Sequence, residues 1–338
     1  MKQKNSRPEQ DSFADAVVAE RARKSQNRFL SQVDKLIDWD KVRKVIEKKY
    51  KKRENAVGGK AYDCVLLFKI LLLETWYNLS DPAVEERIND SITFSRFLGL
   101  SMEETSPDHS TISRFRTELT KLGLFEKVFK EVNGQLSKHC VSIKSGVIVD
   151  ASVVDTPNKP KGPRTIEVAG DREDTRTEEE KAEEVEYQRT IEKKSPGTDG
   201  EAAWVIKQNE ARYGYKMHAV TDTKGIVLGV VTTPANESDV KHFEDVLEQA
   251  KIPKGTRVYA DKGYASASNR QFLKEHGLKD GIMRKGSRGH VITEAERVFN
   301  KLLSKTRSTI ERTFGGIRRW FGGGRCRYRG RGLLKAHT

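Results

Sequence analysis

The stretch Gly146-Val-Ile-Val-Asp150 is a β-branched run that ends on a carboxylate, and Arg257-Val-Tyr-Ala-Asp261 is a second strand-like run that also ends on Asp. β-branched residues favour strands. A carboxylate that ends a buried strand destabilises the fold unless a metal, an arginine or a helix N-terminus compensates it. Either Asp alone is typical of a turn, whereas the pair also allows a shared metal site.

These two runs belong to a region, residues 141–338, in which strand-like and helix-like segments follow one another. Strands are predicted at 213–221, 226–233 and 278–283, the first two as a hairpin, and helices at 239–250, 266–275 and 306–320. This order predicts an α/β domain with a mixed sheet.

A charged insertion at 158–207 interrupts this domain. Residues 158–200 contain 12 acidic and 9 basic residues and few large apolar ones. Such a segment buries too little apolar surface to offset its ordering entropy, so we expect it to be disordered or extended.

The N-terminal part of the chain has a helical period. Residues 1–24 are polar and unpatterned, which predicts a flexible arm. Apolar residues then recur at helical spacing through 25–140, which predicts a compact all-α domain of about five helices. Val65–Tyr77 is apolar on nearly every side and is typical of a helix buried inside a bundle.

The charge and the cysteine content of the chain indicate what kind of partner it binds and where in the cell it is found. The 338 residues include 63 Lys and Arg against 49 Asp and Glu, a net charge of +14, which favours a polyanionic partner. Neither a secretory signal nor a membrane span is predicted, since the most apolar stretch is far shorter than ~20 residues. The three cysteines are widely spaced, which argues against disulfides and zinc and for a cytoplasmic protein.

The last 38 residues form a basic segment with 11 Lys and Arg and one acid, Glu311. Aromatic residues are interleaved with the arginines, which predicts a groove for a DNA backbone with stacking partners. The candidate contacts are Arg318, Arg319, Trp320, Arg325 and Arg327. A solvated basic tail is the alternative.

In a helix at 306–320, Arg307, Glu311 and Arg318 share one face. One interpretation is an ion-paired surface face, which contributes little to stability. The other is a metal-binding carboxylate between two phosphate-binding arginines.

Two further pairs of basic residues are candidate DNA contacts. Asp108 or Ser110 caps a predicted helix that leaves Arg114 and Arg116 outward, as in a helix-turn-helix, although plain bundle packing explains the helix nearly as well. Lys216 and His218 follow a strand. His218 is either an active-site or phosphate contact or a strand histidine whose ring nitrogens are hydrogen-bonded within the protein.

Several motifs, in order, carry a resemblance to a known family. They are Glu74-Thr-Trp-Tyr-Asn-Leu-Ser80, Pro107-Asp-His-Ser-Thr-Ile-Ser-Arg-Phe115, Val149-Asp-Ala-Ser152, Gly214-Tyr-Lys-Met-His218, Ala235-Asn-Glu-Ser-Asp239, Ala260-Asp-Lys-Gly-Tyr264 and Ile310-Glu-Arg-Thr-Phe-Gly315. The chain resembles the DDE transposases of bacterial insertion sequences, in group five of the four-like superfamily.

The resemblance implies a ribonuclease H-like catalytic domain preceded by an all-α DNA-binding domain. It implies that Asp150, Asp261 and Glu311 are the catalytic residues and ligands of two Mg²⁺ ions, for which Mn²⁺ can substitute. It further implies cleavage of DNA at the element's ends, joining of the freed 3′-OH to target DNA, a homodimer and a place in the bacterial nucleoid. Ser304 departs from the tyrosine that the superfamily has at this position.

This interpretation requires the three acids to converge, with none buried against a permanent arginine. The alternative function is a non-catalytic DNA-binding protein, an element-end binder or repressor. That alternative is favoured if the chain lacks the C-terminal helix with which its relatives usually continue.

Overall fold

The computed structural model describes residues 28–51, 61–101, 103–138, 146–160, 197–207, 209–286 and 291–334. They divide into a helical unit within 1–140 and a sheet unit within 141–338. The predicted arm at 1–24 and residues 161–196 of the predicted insertion lie outside the described residues. Among the described helices, we find none with the length and apolar character needed to span a membrane.

The described part of the helical unit has seven helices, more than the five predicted. They are α1 (Arg28–Leu36), α2 (Trp39–Glu47), α3 (Cys64–Tyr77), α4 (Asp81–Asp90), α5 (Ile92–Leu98), α6 (His109–Lys121) and α7 (Leu124–Lys138). The prediction missed α4 and α5, because α4 buries only Val84 and Ile88 and α5 has only seven residues, too few in each case for a clear helical period.

The core of the helical unit surrounds α3, as its uniform apolarity predicts. Cys64, Ile70 and Leu73 have no exposed surface, and helices α2 to α7 all pack residues into the same core. Asp63 caps α3 by accepting from Val65 N and Leu66 N, so the helix begins where its apolar run begins.

The sheet unit contains six strands in the part of the chain described. They are β1 (Val147–Asp155), β2 (Ala203–Lys207), β3 (Glu210–Asp222), β4 (Val227–Pro234), β5 (Arg257–Ala260) and β6 (Lys279–Ile282). The spatial order is β2-β3-β1-β5-β6, and β4 also pairs with β3. β3 is antiparallel to β1, β2 and β4, whereas β5 is parallel to both β1 and β6. This arrangement confirms the predicted α/β domain with a mixed sheet.

Helices cover both faces of the sheet. On one face, α8 (Phe243–Ala250) and α9 (Ala267–Glu275) pack on Val147, Val149 and Val258. On the other, Ile310 and Phe314 of α10 (Glu294–Phe321) pack on Ile148. The alternation of side chains along β1 therefore supplies both cores. A short helix, α11 (Arg331–Leu334), follows.

Three predicted boundaries were wrong. The predicted insertion ended at 207, but Ala203–Lys207 is β2, which adds to the edge of β3. β1 runs on to Asp155, because β3 pairs with it over its whole length, and Asp155 N and O also bond to the backbone of Gly324 and Cys326. The last helix begins at Glu294, well before 306, where Thr293 and Glu296 form a capping box.

Candidate active site

Asp150 and Asp261 lie side by side at the middle of the sheet. Val149 pairs with Ala260 in the parallel β1–β5 ladder, so the residue that follows each of them is an aspartate. The Asp150 carboxylate accepts from Ala151 N at 2.8 Å, and that of Asp261 accepts from Lys262 N at 2.5 Å. Strand pairing thus joins two acids that are far apart in sequence.

One guanidinium group, that of Arg307 on α10, contacts both acids. Its Nη2 donates to Asp150 Oδ2 at 2.9 Å, and its Nη1 lies 3.6 Å from Asp261 Oδ1. The side chain of Arg307 is 10% exposed, against 19% for Asp150 and 46% for Asp261. The expectation that none of the acids is held by an arginine is therefore wrong for Asp150, and Arg307 contacts carboxylates rather than an open surface.

Burial leaves the Asp150 carboxylate in need of positive charge. Desolvation raises the pKa of Asp150 above its usual value, and the guanidinium of Arg307 opposes this rise. The negative charge of Asp261 raises it further. A cation at this point therefore stabilises the ionised form of Asp150.

The third predicted ligand, Glu311, lies one helical turn after Arg307 on α10, and it is exposed. Within the described residues, no three Asp, Glu, His or Cys side chains come close enough to hold a metal ion together. The structure therefore brings Asp150 and Asp261 together but does not gather Glu311 with them. The carboxylate oxygens of Asp150 and Asp261 are hard donors and already surround one cationic group. They therefore fit a divalent ion such as Mg²⁺.

Arg318 anchors the other end of α10 to the same face of β1. Its Nη2 donates to Ser152 Oγ at 2.5 Å, and Ser152 is buried two residues after Asp150. Residues two apart on a strand share a face, so Arg307 and Arg318 reach the same side of the sheet. Gly315 and Gly316 do not interrupt the helix between them.

Arg318 and the residues after it form a basic, solvent-facing edge. Arg319 is exposed and stacks on Trp320, 5.1 Å from its ring centroid, and Trp320 is 65% exposed. Arg325 is also exposed, and its backbone forms an isolated β-bridge with Asp155 at the end of β1, while Arg327 is half-buried. We call Arg318, Arg319, Trp320 and Arg325 the basic edge.

Lys216 and His218, predicted to contact DNA, point into the protein instead. Lys216 Nζ bonds to Glu237 O at 2.6 Å and Asp239 Oδ1 at 2.9 Å. His218 has no exposed surface, and its Nε2 lies 3.0 Å from Thr233 Oγ1. The prediction of DNA contacts is wrong because both side chains lie on a central strand covered by the segment at 237–242. Burial lowers the pKa of His218 to about 4.

Tyr264 and Asp239 form a polar cluster beside the two acids that sequence reasoning missed. Tyr264 is buried, and Asp239, Asp150, Arg307 and Asp261 all act electrostatically on its hydroxyl. Burial, followed by the charge of Asp239, holds the pKa of Tyr264 well above its usual value. Both residues stand inside motifs quoted above, which was the available signal.

In the helical unit, one of the two predicted DNA contacts is buried. Arg116 is 3% exposed and binds Glu74 at 2.6 Å and Asp81 at 2.9 Å. The prediction that it points outward is wrong, because it lies four residues after the core residue Ile112 and so shares its face. Arg114 is exposed, as predicted, and its guanidinium bonds to Ser110 and Thr111.

Comparison with known proteins identifies the family. Residues 142–337 match the family described as a transposase DDE domain, and residues 18–118 match a second transposase domain (DUF772). A transposase for insertion sequence element IS1106 from Neisseria meningitidis serogroup B is 36% identical over 219 residues, 64% of this chain and 69% of that protein.

Solved structures of transposases are also similar, at low identity. A piggyBac transposase synaptic complex with hairpin DNA has a TM-score of 0.37 at 10% identity, covering 90% of this chain and 70% of that one. A Mos1 strand transfer complex has a TM-score of 0.23 at 10% identity, covering 85% and 78%. Since the DDE domain family matches more than half of the chain, and the IS1106 relative is matched over two thirds of its length, the chain belongs to the DDE transposases of insertion sequences.

Proposed function

We propose that this transposase binds the ends of its insertion sequence, cleaves a phosphodiester there to free a 3′-OH, and joins that hydroxyl to target DNA. The observation that carries the proposal is the pairing of Asp150 with Asp261 around a single cationic group. The pairing supports a site for divalent metal, Mg²⁺ with Mn²⁺ as a substitute, as the family implies.

Asp150 and Asp261 would hold the metal, with Glu311 of α10 as the third ligand. When bound, a pair of divalent ions activates the attacking oxygen and compensates charge on the leaving oxygen. The chain itself orients the two acids, since backbone amides fix one oxygen of each. The hydrophobic core beneath β1 keeps that geometry rigid.

The basic edge supports DNA as the partner. Three of its members are arginines, which bind phosphates with paired hydrogen bonds, and the fourth, Trp320, offers an exposed ring for a base to stack on. Arg114 of the helical unit is a further proposed contact. A homodimer, with each subunit holding one element end in the bacterial nucleoid, completes the proposal on the strength of the family resemblance.

Labelled duplexes that carry the DNA flanking the coding sequence test the function. We expect nicking at the element end with Mg²⁺ or Mn²⁺, and none with a chelator. Asp150→Asn should abolish nicking while leaving duplex binding nearly unchanged. The matched control is Glu248→Gln, which removes an exposed acid of α8 in the same unit and should nick normally.

A second candidate function is DNA binding without catalysis, and the ion pair between Arg307 and Asp150 favours it. In that case α10 would be fixed to β1 and the acids would be structural. Duplex binding without nicking under every metal condition would favour this second function over the first.

A further inference from the structure

Arg307 is a buried arginine whose hydrogen bonding is incomplete. Its Nη2 has one good acceptor in Asp150, its Nη1 is 3.6 Å from Asp261 and 3.9 Å from Met283 Sδ, and its buried Nε has no hydrogen-bond partner in the described structure. A guanidinium group has five N–H donors. Most of its hydrogen-bonding capacity is therefore unused.

Arg116 shows what a structural arginine in this protein looks like. Its two terminal nitrogens make bonds of 2.6, 2.9 and 3.0 Å to Glu74 and Asp81. Because a buried cation is strongly destabilising when poorly compensated, Arg307 is held far less firmly than Arg116. Moving the Arg307 side chain away breaks one short hydrogen bond, whereas moving Arg116 away breaks three.

The atoms that Arg307 contacts are the same oxygens that a divalent ion at this site needs. Asp150 Oδ2 is occupied by Nη2, and Asp261 Oδ1 is the oxygen nearest to Nη1. A metal ion and a guanidinium group cannot both sit against these two oxygens, since two cations at contact distance repel each other and would fill the same space.

We propose that Arg307 is a built-in competitor of the metal: it neutralises Asp150 and Asp261 in the metal-free protein, and it must leave Asp150 before a divalent ion binds. This inference rests on the proposed function, and it concerns regulation of the same site. The arginine keeps the two acids from repelling each other, and it lowers the affinity of the free protein for metal. Metal binding and the conformation of Arg307 are therefore linked.

Binding of Mn²⁺ alone, measured by titration calorimetry on the full chain at constant ionic strength, tests the proposal. We expect Arg307→Gln to bind Mn²⁺ about ten-fold more tightly than the parent protein, since a charge-assisted bond no longer has to break. Arg312→Gln is the matched control, because Arg312 lies on the same helix, is exposed and bonds to Thr309. It removes the same charge and should leave the affinity within about two-fold of the parent value.

A crystal structure with Mn²⁺ gives an independent measurement. We expect the contact between Arg307 Nη2 and Asp150 Oδ2 to be broken when the ion is bound. Should Arg307→Gln fail to fold, Arg307→Lys replaces it, because one ammonium group lacks the planar fork that reaches both acids. Its affinity for Mn²⁺ should exceed the parent value by about three-fold.

The outcomes separate this proposal from the proposed function. Equal Mn²⁺ affinity in the parent and the Arg307 variant, with Asp150→Asn weakening both, overturns the competition and keeps the metal site. A bound ion with Arg307 still donating to Asp150 overturns it as well. Absence of any Asp150-dependent Mn²⁺ binding overturns both proposals together.

Discussion

Replacing Arg116 with methionine should destabilise the helical unit and leave DNA binding intact. The arginine is buried between Glu74 on α3 and Asp81 on α4, with three bonds of 3.0 Å or less. Removing one partner of a buried ion pair destabilises a protein by about 3–5 kcal/mol, because the other charge stays buried without compensation. We therefore expect a loss of about 3 kcal/mol, at the lower end because Asp81 is partly exposed.

The loss should depend on pH through Glu74. Burial raises the pKa of Glu74 from 4.5 to about 7, and Arg116 opposes the rise. The folded unit therefore keeps a proton that the unfolded chain releases, so parent stability falls by about 3 kcal/mol as the pH rises from 4.5 to 7. Without Arg116 the pKa of Glu74 rises further, so the destabilisation of the variant should be larger at pH 8 than at pH 5.

Urea unfolding at pH 8 and pH 5 measures these changes. With Trp204 and Trp320 of the sheet unit replaced by phenylalanine, fluorescence reports on Trp39 and Trp76 of the helical unit. At an m value of about 1–3 kcal/mol/M, a loss of 3 kcal/mol lowers the midpoint by about 1–3 M. The exposed neighbour Arg114, changed to methionine, should shift the midpoint by less than about 0.5 M.

The double variant Glu74→Gln with Arg116→Met separates charge from packing. It should recover part of the lost stability, since neither buried charge then remains. Two results would refute the reasoning. One is an unchanged midpoint for Arg116→Met. The other is a loss of duplex affinity as large as that caused by replacing an exposed arginine. Such a loss would mean that Arg116 contacts DNA.

Three further predictions concern the sheet unit. Gly214→Ala should destabilise the sheet unit by more than about 3 kcal/mol in thermal unfolding, because the new Cβ would lie 2.1 Å from Val154 O. The control is Gly200→Ala, whose new Cβ meets nothing within 4 Å and which should leave stability nearly unchanged. Trp320→Ala should weaken duplex binding by about 1–3 kcal/mol in a fluorescence anisotropy titration without changing the melting temperature, since the ring is 65% exposed. Because the pKa of His218 is lowered to about 4, stability that is present above pH 6.5 is lost as the pH falls towards 4. His218→Gln should remove this dependence of stability on pH, as measured by calorimetry at several pH values.

Much of the architecture was predictable because local patterns determine it. Alternation and β-branching located β1 and β5, uniform apolarity located the buried helix α3, and the order of strands and helices indicated a mixed sheet. The strand boundaries that were predicted wrongly depend on pairing partners far away in the sequence. β2 is a strand only because β3 offers it an edge, and β1 extends to Asp155 because β3 pairs with it to its end and residues 324–326 bond to Asp155.

The candidate site divides in the same way. Periodicity and motif order pointed to Asp150 and Asp261, and the β1–β5 ladder confirms that they are neighbours. Periodicity did not determine the surroundings of Arg116 and His218, because a helical or strand position tells which face a residue is on but not what covers that face.

The sequence by itself determined the two-part organisation, the mixed sheet and the aspartates at two strand ends, since these follow from local propensity and from the spacing of apolar residues. Only the tertiary structure decided which basic side chains are free for a polyanion and which neutralise acids inside the protein. Arg307 and Arg319 illustrate this, as one is buried against Asp150 and the other is exposed on the basic edge. The physical reason is that desolvation and ion pairing depend on three-dimensional neighbours, which the one-dimensional charge pattern does not contain.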